Sequence, residues 1–265
     1  MGTHITFRPI GRTGNLMFQC AAAIGHAKKH GLTWGVPIDT GEVPHFHKMF
    51  PGLPIADGSF HTYQEHPNYQ CKIHHMHYDQ CHFNYHEIPR HDYPIKLLGF
   101  YQSWKYFENA QEEVKQAFKL DFIPGYEDYV SIHVRRGDYV KHANSFPPVT
   151  VEYINEAIMK FPWATKLMVF SDDIEWCKKS ISHLQDMEFS EGRNEFEDLS
   201  LMASCGHHII ANSTFSWWGA WLGHNPERIV ISPSCERGNW FGMESGVKHD
   251  CIDLLPPSWH QIKFR

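Results

Sequence analysis

The sequence lacks paired-cysteine motifs, long apolar runs and any excess of basic residues. Its seven cysteines are an odd number and none stands in a C-x-x-C pair, which is typical of free thiols in a reducing compartment. No apolar run is long enough to span a bilayer, so we expect no integral membrane segment. The net charge of −6, with histidine neutral, provides no basic surface, so we expect no nucleic-acid partner.

The overall composition is typical of a folded globular protein. Apolar residues make up 42% and charged residues 20% of the 265 residues, a length that suits one large domain or two smaller ones. Residues 37–94 are rich in histidine, proline and aromatic residues, and we expect only short strands there, around 69–77. This region contains Cys71, His74, His75, His77, Cys81 and His82. Zinc sites usually show a cleaner repeat of paired ligands, so a packed or solvated surface is the favoured interpretation.

Elsewhere, strand and helix patterns alternate along the chain. Strands are predicted at residues 3–9, 32–36, 95–100, 129–134, 166–170, 207–211 and 228–232. Helices are predicted at 16–30, 104–119, 151–161, 195–204 and 217–222, with a further helix after 171–173. Such alternation favours an α/β fold with parallel sheets and right-handed crossovers. The Pro124-Gly125 pair marks the predicted boundary between an N-terminal domain, 1–124, and a C-terminal domain, 125–265.

Residues 129–139 combine a buried strand with a charged turn. The β-branched and apolar residues at 129–134 run directly into Arg135, Arg136, Gly137 and Asp138. Two arginines at the carboxyl end of a buried strand suit an anionic ligand, because the guanidinium fork binds phosphate bidentately. Gly137 permits a sharp turn, and Asp138 can hold an arginine in one rotamer. The alternative is an Arg–Asp pair that only fastens a loop.

Two other strand ends in the second half also carry polar residues. Ser171, Asp172 and Asp173 follow one strand, and residues 212–216 follow another. The carboxyl ends of parallel strands lie along one edge of a sheet, so these clusters should converge with the arginine pair. Serine and threonine at a helix start favour a phosphate, although the same residues, and aspartate, also serve as ordinary N-caps.

Five segments of the chain, taken in order, resemble the motifs of one enzyme family. The HVRRGDY run at 133–139 resembles the H-x-R-R-G-D motif of fucosyltransferases that make α-1,2, α-1,6 and protein O-linked fucose. The segments GRTGNLMFQ at 11–19, GFYQSWKYF at 99–107, SDD at 171–173 and ANSTFSWWGAWL at 211–222 resemble further motifs of the α-1,2-fucosyltransferases, of the glycosyltransferase family 11 type. Leu16 stands where glutamine is common in that family.

The resemblance implies a GT-B fold, with two Rossmann-like halves facing across a cleft. Residues 1–124 would then form the acceptor side, and residues 125–265 would bind GDP-fucose. The implied reaction is inverting transfer of L-fucose from GDP-β-L-fucose to O-2 of a terminal galactose in a glycan, giving an α-1,2 linkage. No cofactor or metal beyond the donor is expected. The implied setting is a cytoplasmic, bacterial-type protein that associates peripherally with membrane-bound glycan intermediates.

The resemblance also assigns roles to individual residues. Arg135 would hold the β-phosphate, and Asn15 would position the acceptor hydroxyl, since an amide cannot take up a proton. Asp138 and Asp172 are the expected carboxylates near the reaction centre, with Asp173 as a further choice of base, and Asp198 is expected at the guanine edge or ribose. The donor-binding set is His133, Arg135, Arg136, Asp173, Asp198, Asn212, Ser213, Thr214, Phe215 and Ser216.

Two other functions remain open at this stage. A metal-dependent GT-A glycosyltransferase would need a D-x-D type motif, to which only Asp173-Ile174-Glu175 and Asp186-Met187-Glu188 come near. A non-catalytic carbohydrate-binding protein would suit the nine tryptophans, but it does not explain the arginine pair.

Overall fold

The computed structural model describes residues 2–38, 43–64, 84–164, 166–184, 186–236, 238–243 and 251–264. The strands expected around 69–77 and the cysteine and histidine group from Cys71 to His82 lie outside the described residues. The chain divides into two compact units: unit 1 is Met1–Lys119 with Asp250–Pro256, and unit 2 is Leu120–His249 with Pro257–Arg265. No helix in the described parts of the chain is long and apolar enough to cross a membrane.

Unit 1 contains a three-stranded parallel sheet in the order β1-β3-β2. Its strands are β1 (Ile5–Phe7), β2 (His61–Gln64) and β3 (Ile95–Leu98). The strand predicted at 32–36 is wrong, because Trp34 and Val36 form only isolated bridges, with Ile5 and Ile55. Pro37, which has no N–H group, cannot extend a ladder at this point.

The helices of unit 1 confirm some predictions and revise others. They are α1 (Thr13–His30), α2 (Val43–Met49), a 3-10 helix (Trp104–Ala110) and α3 (Gln111–Ala117). The predicted helix at 104–119 is therefore two helices, the second of which begins at Gln111. The first is itself kinked at Phe107 (φ −131°, ψ 19°). Gly31 ends α1 in the left-handed conformation (φ 65°), as expected of a C-terminal glycine. Helix α2 was not predicted.

Unit 2 contains a six-stranded parallel sheet in the order β6-β5-β4-β7-β8-β9. The strands are β4 (Tyr129–Val134), β5 (Lys166–Ser171), β6 (Met187–Phe189), β7 (His207–Ile209), β8 (Val230–Pro233) and β9 (His260–Ile262). Strand β4 is buried at all six positions. The short strands β6 and β9 were not predicted, whereas the other four lie within or beside their predicted ranges.

Helices cover both faces of this sheet. They are α4 (Gly137–Lys141), α5 (Val151–Ile158), α6 (Ile174–Ser180), α7 (Glu195–Ser204) and α8 (Thr214–Trp221). Val130, Ile132 and Val134 pack with the apolar side chains of α5. Tyr129, on the opposite face of β4, packs with Leu201 of α7. Because side chains alternate along a strand, His133 lies on the same face as Tyr129, towards α7 and α8.

Candidate active site

The two arginines predicted to bind an anion follow β4, at the carboxyl edge of the sheet in unit 2. The Nη2 atom of Arg135 lies 2.5 Å from Asp138 Oδ1, and its Nη1 atom lies 2.9 Å from Asp172 Oδ2. Its guanidinium group also lies 5.6 Å from the ring centre of Tyr139. Arg135 is therefore held in one place by two carboxylates and an aromatic ring.

Asp172 joins the end of β5 to the turn after β4. Its Oδ1 atom accepts a hydrogen bond of 2.8 Å from the backbone N–H of Arg136, while its Oδ2 atom faces Arg135. A Cβ atom at Gly137 would collide with Asp172 Oδ2, so a larger residue here would displace the carboxylate from its partners. Because both oxygens are engaged, the geometry favours a positioning role for Asp172 over that of a proton acceptor.

Arg136 points to a different set of partners. Its Nε atom lies 3.1 Å from Asp173 Oδ2, and its guanidinium group lies 3.8 Å from the ring centre of Trp176. Asp173 also caps α6 through the backbone N–H of Trp176.

In the described part of the chain, no group of three or more histidine, cysteine or acidic side chains is arranged to hold a metal ion.

His133 is a buried, neutral histidine beside Arg135. It is 6% exposed, and its ring centre lies 5.7 Å from that of Phe215. Burial, followed by the charge of Arg135, lowers the pKa of His133 to about 3. Its buried Nδ1 atom has no hydrogen-bonding partner among the described residues. A neutral imidazole in this position has an unused polar atom for a ligand.

The segment 212–216 lies at the carboxyl end of β7 and begins α8. Ser213 caps the helix by accepting from the backbone N–H of Phe215, and the hydroxyl group of Ser216 donates to the carbonyl group of Ser213. The carbonyl group of Asn212 accepts a hydrogen bond of 3.0 Å from the hydroxyl group of Tyr139. The contacts Tyr139–Asn212 and His133–Phe215 thus join this segment to the β4 end. Thr214, the first residue of α8, lies within the same turn.

Asn212 itself is a buried structural residue. Its Nδ2 atom donates to the carbonyl groups of Pro147 and Trp240, at 3.0 and 2.9 Å. These two bonds fasten the loops around Pro147 and Trp240 beneath the start of α8. Its buried Oδ1 atom has no hydrogen-bonding partner among the described residues, and its place in the donor-binding set stays a prediction.

Asp198 lies at another part of the same sheet edge, beside β6. It accepts a short hydrogen bond from the hydroxyl group of Ser190, which also accepts from Arg193 Nη1 at 3.2 Å. Burial raises the pKa of Asp198. Strand β6 is separated from β4 by β5, and the hydrogen-bonding partners of Asp198 differ from those of Arg135. Sequence reasoning missed Ser190 and Arg193, because neither stands in a recognisable motif.

Asn15 belongs to unit 1, in the first turn of α1. Its Oδ1 atom accepts a hydrogen bond of 2.8 Å from Gln102 Nε2. Gln19, on the next turn, fastens the preceding loop through two hydrogen bonds with the backbone of Ile10. Leu16, which replaces the glutamine common in the related motif, is fully buried in the core.

Comparisons with known proteins agree with the motifs. The sequence model of glycosyl transferase family 11 matches residues 3–244. An alpha-1,2-colitosyltransferase of Escherichia coli is 32% identical over 193 residues, which are 64% of this chain and 63% of that protein. The galactoside alpha-(1,2)-fucosyltransferase 2 of Bos taurus is 29% identical over 245 residues, which are 82% of this chain and 68% of that protein. The family resemblance predicted from the motifs is thus confirmed.

The chain spans less than two thirds of the length of its first curated relatives. It covers 63% of the colitosyltransferase and 43% of the O-antigen biosynthesis glycosyltransferase WbnK of Escherichia coli, to which it is 38% identical over 139 residues.

A solved structure supports the fold. NodZ alpha-1,6-fucosyltransferase, co-crystallized with GDP, has a TM-score of 0.50 at 13% identity, over 87% of this chain and 96% of NodZ. NodZ from Bradyrhizobium gives the same TM-score at 12% identity, over 87% of this chain and 95% of NodZ. The predicted α/β fold of the GT-B class is therefore confirmed.

Proposed function

The chain belongs to glycosyl transferase family 11, and from that membership we propose that it transfers L-fucose from GDP-β-L-fucose to O-2 of a terminal galactose, with inversion and without a metal. The carrying observation is Arg135, a guanidinium group held at the carboxyl end of a buried parallel strand beside the start of α8. The relative named galactoside alpha-(1,2)-fucosyltransferase 2 supports the choice of donor sugar and linkage. In this proposal unit 2 binds the donor and unit 1 serves the acceptor.

Arg135 is the proposed ligand of the β-phosphate. A guanidinium group has five N–H donors, and the pairs with Asp138 and Asp172 use its two terminal nitrogens without exhausting their hydrogens. The carboxylates fix the orientation of the fork, so little side-chain entropy is lost when a phosphate binds. The backbone amides at the start of α8 add a second donor group for the diphosphate.

The proposed reaction breaks the bond between the fucosyl C1 atom and the β-phosphate oxygen. The acceptor hydroxyl oxygen attacks C1 from the opposite face, GDP leaves with the bonding electron pair, and the hydroxyl proton passes to a carboxylate. Positive charge develops on the sugar, as in glycoside hydrolysis, while negative charge on the leaving phosphate is stabilised by Arg135 and the α8 amides. Losing one such donor costs on the order of a hundredfold or more in rate.

Asp138 is the proposed proton acceptor. Its side chain is 47% exposed, compared with 26% for Asp172, whose two oxygens are both engaged by the arginine turn. Asp138 also lies beside the proposed phosphate ligand, within the first turn of α4. His133 and Asp198 are the proposed contacts for the nucleotide, the second at the guanine edge or ribose.

A specific observation supports a second donor sugar. The relative at 32% identity is named an alpha-1,2-colitosyltransferase. Colitose is L-fucose without its 3-hydroxyl group, so the two sugars differ at one position only. The second candidate function is therefore α-1,2 transfer of colitose, with the same residues in the same roles.

The test is a donor panel. GDP-fucose, GDP-colitose, GDP-mannose and UDP-galactose are each incubated with the protein and lactose, and release of the nucleotide is measured. Turnover of GDP-fucose above the other three supports the proposal, and preference for GDP-colitose selects the second candidate. Preference for UDP-galactose or GDP-mannose, or binding of glycans without any turnover, contradicts both.

A further inference from the structure

Three polar side chains are joined in series after strand β6 of unit 2. Ser190, the residue that follows β6, is 6% exposed, and its backbone N–H donates to the carbonyl group of Val169 in β5 at 2.8 Å. Its hydroxyl group donates to Asp198 Oδ1 and accepts from Arg193 Nη1, the latter at 3.2 Å. The series therefore connects the carboxyl end of β6 to the first turn of α7, entirely within unit 2.

The chemistry of the three groups determines the direction of these hydrogen bonds. A guanidinium group can only donate, so the Ser190 oxygen accepts from Arg193, and the hydroxyl proton is directed to Asp198. The Asp198 Oδ1 atom is thus held by a buried hydroxyl group whose own orientation is fixed. Ser190 therefore sets the position of this carboxylate.

The second oxygen of Asp198 is available to a ligand. Asp198 is partly exposed, and its Oδ2 atom has no hydrogen-bonding partner among the described residues and is not buried. By contrast, Asp172 and Asp173 each use both oxygens on neighbouring protein groups. Burial raises the pKa of Asp198, and the bond from Ser190 offsets this only in part. A ligand with N–H donors would therefore stabilise the carboxylate.

The position of Asp198 favours the base of a nucleotide over its ribose. Neighbouring strands lie about 4.8 Å apart, so the end of β6 is about 10 Å from that of β4, where the diphosphate is proposed to bind. The ribose directly follows the diphosphate, whereas the base is the far end of the nucleotide. Guanine has two adjacent donors on one edge, N1–H and the 2-amino group, which suit the two oxygens of a carboxylate.

We propose that Ser190 is a positioning residue, which holds Asp198 so that its carboxylate accepts from the N1–H and 2-amino groups of guanine and thereby selects GDP over nucleotides that lack the amino group. This inference rests on the proposed use of a GDP-sugar donor. With Oδ1 held by Ser190, one lone pair of that oxygen and both of Oδ2 stay available to the base. Arg193 contributes less, since it orients only the hydroxyl group.

The test compares the Kd of GDP with that of inosine diphosphate (IDP), which lacks the 2-amino group, by isothermal titration calorimetry on the whole chain. Wild type should bind GDP about tenfold or more tightly than IDP, the effect of one hydrogen bond to a charged group. Ser190→Ala should reduce this ratio to about threefold or less. Ser190→Thr, which keeps the hydroxyl group, should retain it. Arg193→Met, at an exposed residue, should lower the ratio by about threefold.

Two further variants separate positioning from folding. In an Asp198→Ala background, Ser190→Ala should leave the ratio of the two Kd values unchanged, because its action passes through Asp198. Ser204→Ala is the matched control, since Ser204 is buried on the same helix as Asp198 and its hydroxyl group bonds to the backbone of Ser200 and Ile123, at 2.8 and 2.9 Å. The control should lower the melting temperature and keep the ratio.

The possible outcomes separate the inference from the proposed function. Equal ratios in wild type and Ser190→Ala would overturn the inference, as would a further effect of Ser190→Ala in the Asp198→Ala background. If thermal unfolding shows that Ser190→Ala does not fold, an unchanged ratio in Arg193→Met would overturn it. Wild type that binds GDP no more tightly than IDP would overturn the inference and leave the proposed function standing. Wild type that binds neither nucleotide would contradict the proposed function itself.

Discussion

Arg135→Ala should abolish most of the transfer activity while leaving the fold intact. The substitution removes the guanidinium group that faces Asp138 and Asp172, at 2.5 and 2.9 Å. The proposed β-phosphate site then keeps two negatively charged carboxylates and loses the positive charge between them. The carboxylates would repel a bound diphosphate, and the N–H donors that bind it would be absent. Arg135→Lys keeps the charge but not the fork, so its loss of activity should be smaller.

For Arg135→Ala, the expected loss of stability is small and the expected loss of activity is large. The ion pairs of Arg135 join side chains that are 18% to 47% exposed, so their loss should lower the free energy of unfolding by about 1 kcal/mol. That corresponds to a melting temperature lower by about 2–4 °C in a domain of this size. Loss of a preorganised donor to the leaving phosphate should lower kcat by about a hundredfold to a thousandfold.

The assay measures GDP release from GDP-fucose at saturating acceptor, alongside thermal unfolding. Lys178→Ala is the matched control, because Lys178 also lies between two carboxylates, those of Glu175 and Glu191, on the exposed side of α6. The control should lose little stability and no activity. Loss of one donor to a developing oxyanion lowers the rate by much more than threefold. If Arg135→Ala retains turnover within about threefold of wild type, the arginine turn has only a structural role.

Three further predictions concern Thr150, Tyr139 and His133. Thr150→Ala removes the N-cap that accepts from Tyr153 N at 3.2 Å, and should lower the free energy of unfolding by about 1 kcal/mol in urea titrations without changing kcat. Tyr139→Phe removes the hydroxyl donor to the carbonyl group of Asn212, and should raise the KM for GDP-fucose about fivefold, measured by initial rates. The pKa of His133 falls from its ordinary 6.5 to about 3, so its contribution to stability should be complete above pH 6.5 and decline as the pH falls towards 3. Urea titrations of wild type and His133→Asn between pH 7 and 4 should show the steeper decline in wild type.

The sequence was sufficient where local pattern and tertiary environment agree. Helix α1 ends at Gly31, which is a local signal, although it begins at Thr13 and not at the predicted residue 16. Strand β4 is buried throughout, as its apolar run predicts.

Elements whose stability comes from neighbours could not be predicted. Strands β6 and β9 have three residues each, and they exist because they pair with β5 and β8. Helix α4 begins at Gly137, inside what appeared as a turn, because the carboxylate of Asp172 holds the preceding backbone N–H. Such contacts span long distances in sequence and leave no periodic signal.

The same distinction applies to the candidate site. The sequence predicted that three polar clusters meet at one edge of a parallel sheet. The contact of Arg135 with Asp172 joins the ends of β4 and β5, and that of Tyr139 with Asn212 joins the ends of β4 and β7. The partners Trp176 and Gln102 were not predicted, because each is brought in by the packing of a following helix or a strained turn. The catalytic and binding roles themselves remain predictions for experiment.

The most direct measurement is GDP release from GDP-fucose in EDTA, with and without a terminal β-galactoside, followed by NMR of the product. The account predicts release that depends on the acceptor, persists in EDTA and yields an α-1,2-linked fucosyl galactoside. Release that requires restored divalent metal, or a product without that linkage, would contradict it.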